Sequence, residues 1–178
     1  MNRSLAISLL GLLVGLVIIA GVAFLRPYQL RGATIDPLQP APDFSVGDFR
    51  LAAQQGKVAV VFFGYTHCAD VCPATLDQMR QVLNRLGDSA AQAQMVFVTI
   101  DPQHDTPEVI KSYTAGFDPR ILGLTGTEIE LQKVWQAYGV TVIKDTSGQV
   151  NDVVFEHSAR IYVIDRKGNL RETFPAES

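Results

Sequence analysis

The longest apolar stretch of the chain, residues 4–25 (SLAISLLGLLVGLVIIAGVAFL), carries no charge and is long enough to cross a bilayer as a helix. A removable signal peptide is the rival reading, but its apolar core would run to only about 7–15 residues. We expect an uncleaved anchor over residues 1–25. Residues 26–42 lose apolar periodicity and hold Pro27, Pro37, Pro40 and Pro42, which predicts an extended tether. The folded domain is expected over residues 43–178.

Within that domain, continuous apolar runs alternate with helical stripes. KVAVVFF (residues 57–63) and MVFVTI (residues 95–100) read as strands buried on both faces. Residues 73–87 place Leu76, Met79, Val82, Leu83 and Leu86 on one helical stripe, ended by Gly87. Thr106 followed by Pro107 opens a second helix, and residues 127–139 give a third, with Ile129, Leu131, Val134, Trp135 and Tyr138 apolar. ARIYVID and LRETF flank a polar RKGN turn and predict a hairpin. Residues 140–158 hold two short β-prone runs around a polar turn, which we read as an inserted hairpin. The order strand, helix, strand, helix, helix, strand, strand predicts an α/β sandwich with a mixed sheet.

Charge narrows the range of partners. A formal net charge of −3 with no basic run argues against nucleic acid. Arginines flank both ends of the apolar stretch (Arg3; Arg26 and Arg31), so charge alone does not orient it.

The chemistry concentrates in FFGYTHCADVCPATL, residues 62–76, which holds both cysteines of the chain, Cys68 and Cys72. Their spacing is Cys-x-x-x-Cys, one residue longer than the redox motif Cys-x-x-Cys. Because Pro73 favours the first helical position, Cys72 is expected at the N-cap, near unsatisfied amides and the positive end of the helix dipole. That environment favours thiolate, the form that both attacks disulfides and binds metal. A purely structural disulfide is the plainer reading, but so small a loop gains little chain entropy.

His157, in VFEHSARIYVID, precedes the first strand of the terminal hairpin. In thioredoxin-like folds that turn carries a cis-proline facing the cysteine loop, and here no proline lies between Pro119 and Pro175. A histidine near the vacated position could face Cys68 and Cys72. Two thiolates and one imidazole suit copper, whereas zinc would want a fourth ligand.

FFGYTHCADVCPATL, VTIDPQHDTPEVIKSY, FDPRILGLTG and EHSARIYVID, in this order over residues 41–174, resemble the Sco/SenC family. The resemblance implies a thioredoxin-like fold with an inserted β-hairpin and an N-terminal membrane helix. It implies a copper metallochaperone that assists assembly of the copper centre in cytochrome c oxidase subunit II. The copper ligands of the family fall here on Cys68, Cys72 and His157, for Cu(I) or Cu(II). Two positions depart from the family pattern: Ala69 stands where proline is common, and Glu156 where aspartate is common. The domain would face the bacterial periplasm from the inner membrane, or the mitochondrial counterpart; the lack of an Arg-rich presequence favours the former. Partners implied are the oxidase subunit and another copper chaperone or a thiol reductant. A thiol–disulfide reductase using Cys68 and Cys72, or a redox or copper sensor, stay open as alternatives.

Other residues invite a role and have a plainer one. His67 adjoins Cys68 on a loop where neighbours point apart, and His104 is expected to be solvated. Asp101 and Asp105 could be paired carboxylates, but Asp105-Thr106-Pro107-Glu108 reads as a helix start. Asp70 is expected to shape the cysteine loop, and Trp135 and Tyr138 to lie in the core.

Overall fold

The computed structural model describes residues 11–15, 32–144, 153–154 and 159–176. The chain divides into two units, Met1–Arg31 and Gly32–Ser178. Of the first, residues 11–15 are described and are helical; the rest of the expected 4–25 anchor lies outside the described residues. Among the described residues, no helix is long and apolar enough to cross a membrane.

The second unit starts with β1 (Ala33–Pro40), followed by the short strands β2 (Ser45–Val46) and β3 (Phe49–Arg50). Next come β4 (Val58–Gly64), α1 (Val71–Leu86), β5 (Ala93–Thr99), α2 (Pro107–Phe117), β6 (Ile121–Leu124) and α3 (Glu128–Ala137). The paired strands β7 (Ile143–Lys144) and β8 (Val153–Val154) sit in the segment read as an inserted hairpin, and β9 (Arg160–Ile164) and β10 (Asn169–Pro175) close the fold.

Six strands form one sheet in the order β1-β10-β9-β4-β5-β6. β4, β5 and β6 run parallel, while β9, β10 and β1 are joined antiparallel, so the sheet is mixed as the element order requires. Alternation within the apolar runs feeds two cores. Val61, Phe63, Val96 and Val98 point to one face, against Leu131, Val134 and Trp135 of α3 and against Phe44, Val46 and Phe49. Phe62 and Phe97 point to the other, against Leu76, Met79 and Leu83 of α1 and Ile110 of α2. Both faces of β4 are thus covered, which is why its sequence shows no polar alternation.

The helix stripes are narrower than the sequence suggests. Val82 and Leu86 on α1 and Ile129 on α3 are exposed, because each helix meets the sheet along one line and its flanks face solvent. Two strands of the six-stranded sheet also lie where none was expected. Residues 33–40 are extended, as their prolines dictate, but they pair with β10 through Ala33↔Thr173 and Pro40↔Asn169 rather than running free. β6 is short and holds Gly123, where a Cβ would lie 2.9 Å from the Ile110 carbonyl. Only a glycine lets α2 settle this close to the strand.

Candidate metal centre

The cysteines sit at the carboxyl end of the parallel strands, the edge where open α/β sheets place their chemistry. β4 ends at Gly64, residues 65–70 turn, and α1 begins at Val71. Cys72 is therefore inside the first turn, and the N-cap position falls to Asp70, whose side chain makes no capping bond. The expected N-cap role of Cys72 is corrected on this point. Proline is tolerated throughout the first turn, where its missing N–H has no helical partner, so Pro73 did not mark the first residue.

The two sulfurs differ in setting. Cys72 is 3 % exposed and belongs to the core cluster with Phe62, Leu76 and Phe97, whereas Cys68 is half-buried and packs on that cluster from outside. Both are free thiols, and the Cys72 amide donates to Sγ of Cys68 at 3.4 Å. Burial pushes the Cys72 thiol well up, and a hydrogen bond with the Tyr65 backbone only partly opposes it. Burial thus dominates where the helix dipole was expected to.

Gly64 makes room for this sulfur. A Cβ there would lie 2.7 Å from Sγ of Cys72 and 2.6 Å from the Phe97 ring. The sequence shows Gly64 as an unremarked strand end; its spacing before Cys68 was the only available signal.

A buried carboxylate holds the loop. Asp105 is fully buried and accepts from the Thr66 hydroxyl at 2.5 Å, the Thr66 amide at 3.2 Å and the Thr99 hydroxyl at 2.5 Å. Thr106 caps α2 as expected, by accepting from the Val109 amide; Asp105, read only as part of that helix start, in addition ties the cysteine loop to the end of β5. Asp101 is also buried and lies 2.7 Å from Nδ1 of His104, which is therefore held rather than merely solvated. His67 is exposed, and its ring stands 5.6 Å from that of His104, centroid to centroid. Trp135 and Tyr138 are core residues as expected, and the Trp135 indole donates to the Thr99 carbonyl at 3.0 Å.

Tyr113 of α2 packs on the same cluster as Cys68, and its hydroxyl is buried with no hydrogen-bond partner among the described residues. Burial, with the neighbouring cysteines, pushes its phenol up. His157 and Glu156 lie outside the described residues. Among the described residues, no group of three or more His, Cys, Asp or Glu side chains converges on one point. What the structure does bring together is two reduced sulfurs, Cys68 in the loop and Cys72 in the first turn of α1, a donor set that fits a soft ion.

The model of the SCO1/SenC family matches residues 47–178. The chain belongs to the SCO1/SenC family. Among its relatives, the mitochondrial protein SCO2 of Saccharomyces cerevisiae is 35 % identical over 130 residues, 72 % of this chain and 43 % of that protein. The chain thus spans less than half the length of this relative. Among solved structures, ScoI of Bradyrhizobium japonicum with copper bound is 34 % identical with a TM-score of 0.70, over 79 % of this chain and 92 % of that one. The apo Sco1 protein of Thermus thermophilus gives 29 % identity and a TM-score of 0.76, over 85 % and 90 % of the two chains. These are the thioredoxin-like Sco structures, and the mixed sheet described above is the same fold.

Proposed function

We propose that this member of the SCO1/SenC family is a copper metallochaperone. It holds Cu(I) or Cu(II) on Cys68, Cys72 and His157 and delivers the ion to the copper centre of cytochrome c oxidase subunit II. The observation that carries this reading is the pair of free cysteines four positions apart at the sheet edge, in a chain similar to a ScoI solved with copper bound. The half-buried Cys68 is the sulfur through which an incoming or outgoing ion is exchanged, while the buried Cys72 retains it. Residues 4–25 anchor the domain in the bacterial inner membrane, with the domain in the periplasm; resistance to carbonate extraction tests this.

The test of the copper reading compares reduced and oxidised protein. Reduced protein should take up one copper ion, and oxidation of Cys68 and Cys72 to a disulfide should abolish uptake. Transfer is then followed by mixing the loaded chain with the apo soluble domain of the oxidase subunit. His157→Ala should leave Cu(I) on two sulfurs but weaken Cu(II), for which imidazole matters more. Equal uptake by the two redox forms would overturn the reading.

A thiol–disulfide reductase is the second reading, since a half-buried and a buried thiol four positions apart are the arrangement of an attacking and a resolving sulfur. The Cys-x-x-x-Cys spacing and the lack of a proline between Pro119 and Pro175 weigh against this.

A further inference from the structure

Among the described residues, two buried side-chain oxygens lack a hydrogen-bond partner, Oη of Tyr113 and Oε2 of Glu172. Glu172 stands on β10, where its other oxygen accepts from the Thr34 hydroxyl at 2.6 Å. Tyr113 stands beside the cysteines. It belongs to α2 and packs on the core cluster that contains Cys72, on which Cys68 packs as well. Its ring meets that of Phe97 at a centroid distance of 5.9 Å and that of Phe117 at 5.4 Å. Phe97 is in turn a neighbour of the buried sulfur. Its ring edge and Sγ of Cys72 lie 2.6 Å and 2.7 Å from the one point where a Cβ on Gly64 would stand. Burial pushes the Tyr113 phenol up, and the charges of Cys72, Cys68 and Asp105 follow in that order, so the hydroxyl lies within the field of both sulfurs.

Phenylalanine would make the same ring contacts without burying a hydroxyl, so packing does not account for the oxygen. The plainer account is a small uncompensated cost. The place of the hydroxyl, beside two sulfurs, offers a compensation that the metal-free protein does not show. Both cysteines are free thiols, and a neutral thiol is a weak acceptor. A cysteine that binds a metal ion gives up its proton and becomes a strong acceptor of charge-assisted hydrogen bonds. Each sulfur already has one main-chain partner, Cys68 in the Cys72 amide at 3.4 Å and Cys72 in the Tyr65 backbone. A phenol turns its O–H freely about the C–O bond and is a further donor at hand.

Resting on the copper reading above, we propose that Tyr113 is a positioning residue for the metal: its hydroxyl is held unbonded in the metal-free protein and donates to the thiolate of Cys72 once that sulfur holds an ion. The thiol proton of Cys72 leaves to solvent as the sulfur binds the ion, and the phenol keeps its own proton. The bond draws charge from the sulfur, and hydrogen bonding around a cysteine ligand sets how copper divides between its two oxidation states. Less charge on sulfur favours Cu(I) over Cu(II). The same oxygen that costs stability in the empty domain therefore stabilises the loaded one.

The experiment compares the full chain in detergent with its Tyr113→Phe variant and has two arms. In the first, the thermal midpoint of Y113F should lie above the parent when both are reduced and metal-free, and below it when both carry Cu(I). Its Cu(I) affinity, measured by competition with a chelator, should fall by about 10–100-fold. Its sulfur-to-Cu(II) charge-transfer band should move to lower energy, since a sulfur without the hydrogen bond gives up an electron more easily. Tyr138→Phe is the control. That hydroxyl donates to the Pro42 carbonyl at 2.9 Å and Tyr138 belongs to the other core cluster, so its loss should lower both midpoints alike and leave the band in place. In the second arm, Hg(II) is loaded on Cys68 and Cys72, and the sulfur-to-mercury band of Y113F should shift in the same sense. A metal-free midpoint lowered in Y113F, or bands and affinity equal to those of the parent, overturns the role of Tyr113. If the parent takes up Hg(II) but no copper, the metallochaperone reading fails, and the mercury band still decides whether the hydroxyl donates to the thiolate.

Discussion

The hydroxyl of Thr66 donates to Oδ1 of Asp105 across 39 positions of sequence at 2.5 Å, and this contact decides where the cysteine loop sits. Asp105→Ala removes the acceptor of two hydroxyls and an amide in a buried site. The expected loss is about 2–4 kcal/mol, because each stranded polar group carries its own desolvation cost. Urea denaturation measures it. Copper stoichiometry on the surviving folded protein should fall with it, since the loop that carries Cys68 loses its tie to β5.

Gly64→Ala tests the space kept for the buried sulfur. The added methyl meets Sγ of Cys72 at 2.7 Å and the Phe97 ring at 2.6 Å, and neither can retreat from the core. Overpacking of this kind costs about 1–3 kcal/mol. The variant should also bind copper more weakly than its loss of stability explains, measured by competition against a Cu(I) chelator.

Tyr113→Phe should stabilise the protein by about 1 kcal/mol, because it deletes a buried hydroxyl with no partner among the described residues. The thermal midpoint of the reduced, metal-free protein is the readout. A fall in the midpoint would mean that the hydroxyl is bonded to a residue outside those described.

The acid limb of stability should run partly through Asp118. Its carboxylate, 7 % exposed, accepts from the Arg120 side chain at 2.8 Å and 2.6 Å, and this guanidinium holds it below the ordinary aspartate range. A lowered folded value stabilises the protein above the unfolded value of about 4, and the stabilisation is lost as pH falls through the folded value below it. Asp118→Asn should be less stable than the parent at pH 7 and indistinguishable from it at the lowest pH at which both still fold. Urea midpoints across that range show whether the two curves converge.

The elements most legible in the sequence are those whose physics is local. β4 and β5 are apolar runs covered on both faces, and α2 and α3 begin with threonine caps whose bonds are all within four residues. The capping box of Thr127 and Glu130 is such a case. β6 is different. Four residues interrupted by Gly123 read as loop, and the glycine makes sense only beside the Ile110 carbonyl. In the site, the cysteines announce themselves by type and spacing, but their supports do not. Asp105 precedes Thr-Pro-Glu and reads as part of a helix start; its burial under Thr66 and Thr99 exists only once β4 and β5 are side by side. The helix start was misplaced by two residues for a related reason, since proline fits several positions of a first turn.

The strand β1 has a bearing on how the domain behaves in company. A sheet ends in a row of unpaired amides and carbonyls, and such a row is an invitation to a second chain. Here the outermost strand on one side is β1, exposed along nearly its whole length, and Pro37 and Pro40 have no amide to offer. On the other side stands β6, only 4 residues long. Neither rim gives a neighbouring molecule enough continuous backbone to extend the sheet, so the prolines that made residues 33–40 look like a mere leash also guard the domain against edge-to-edge polymerisation when it is crowded.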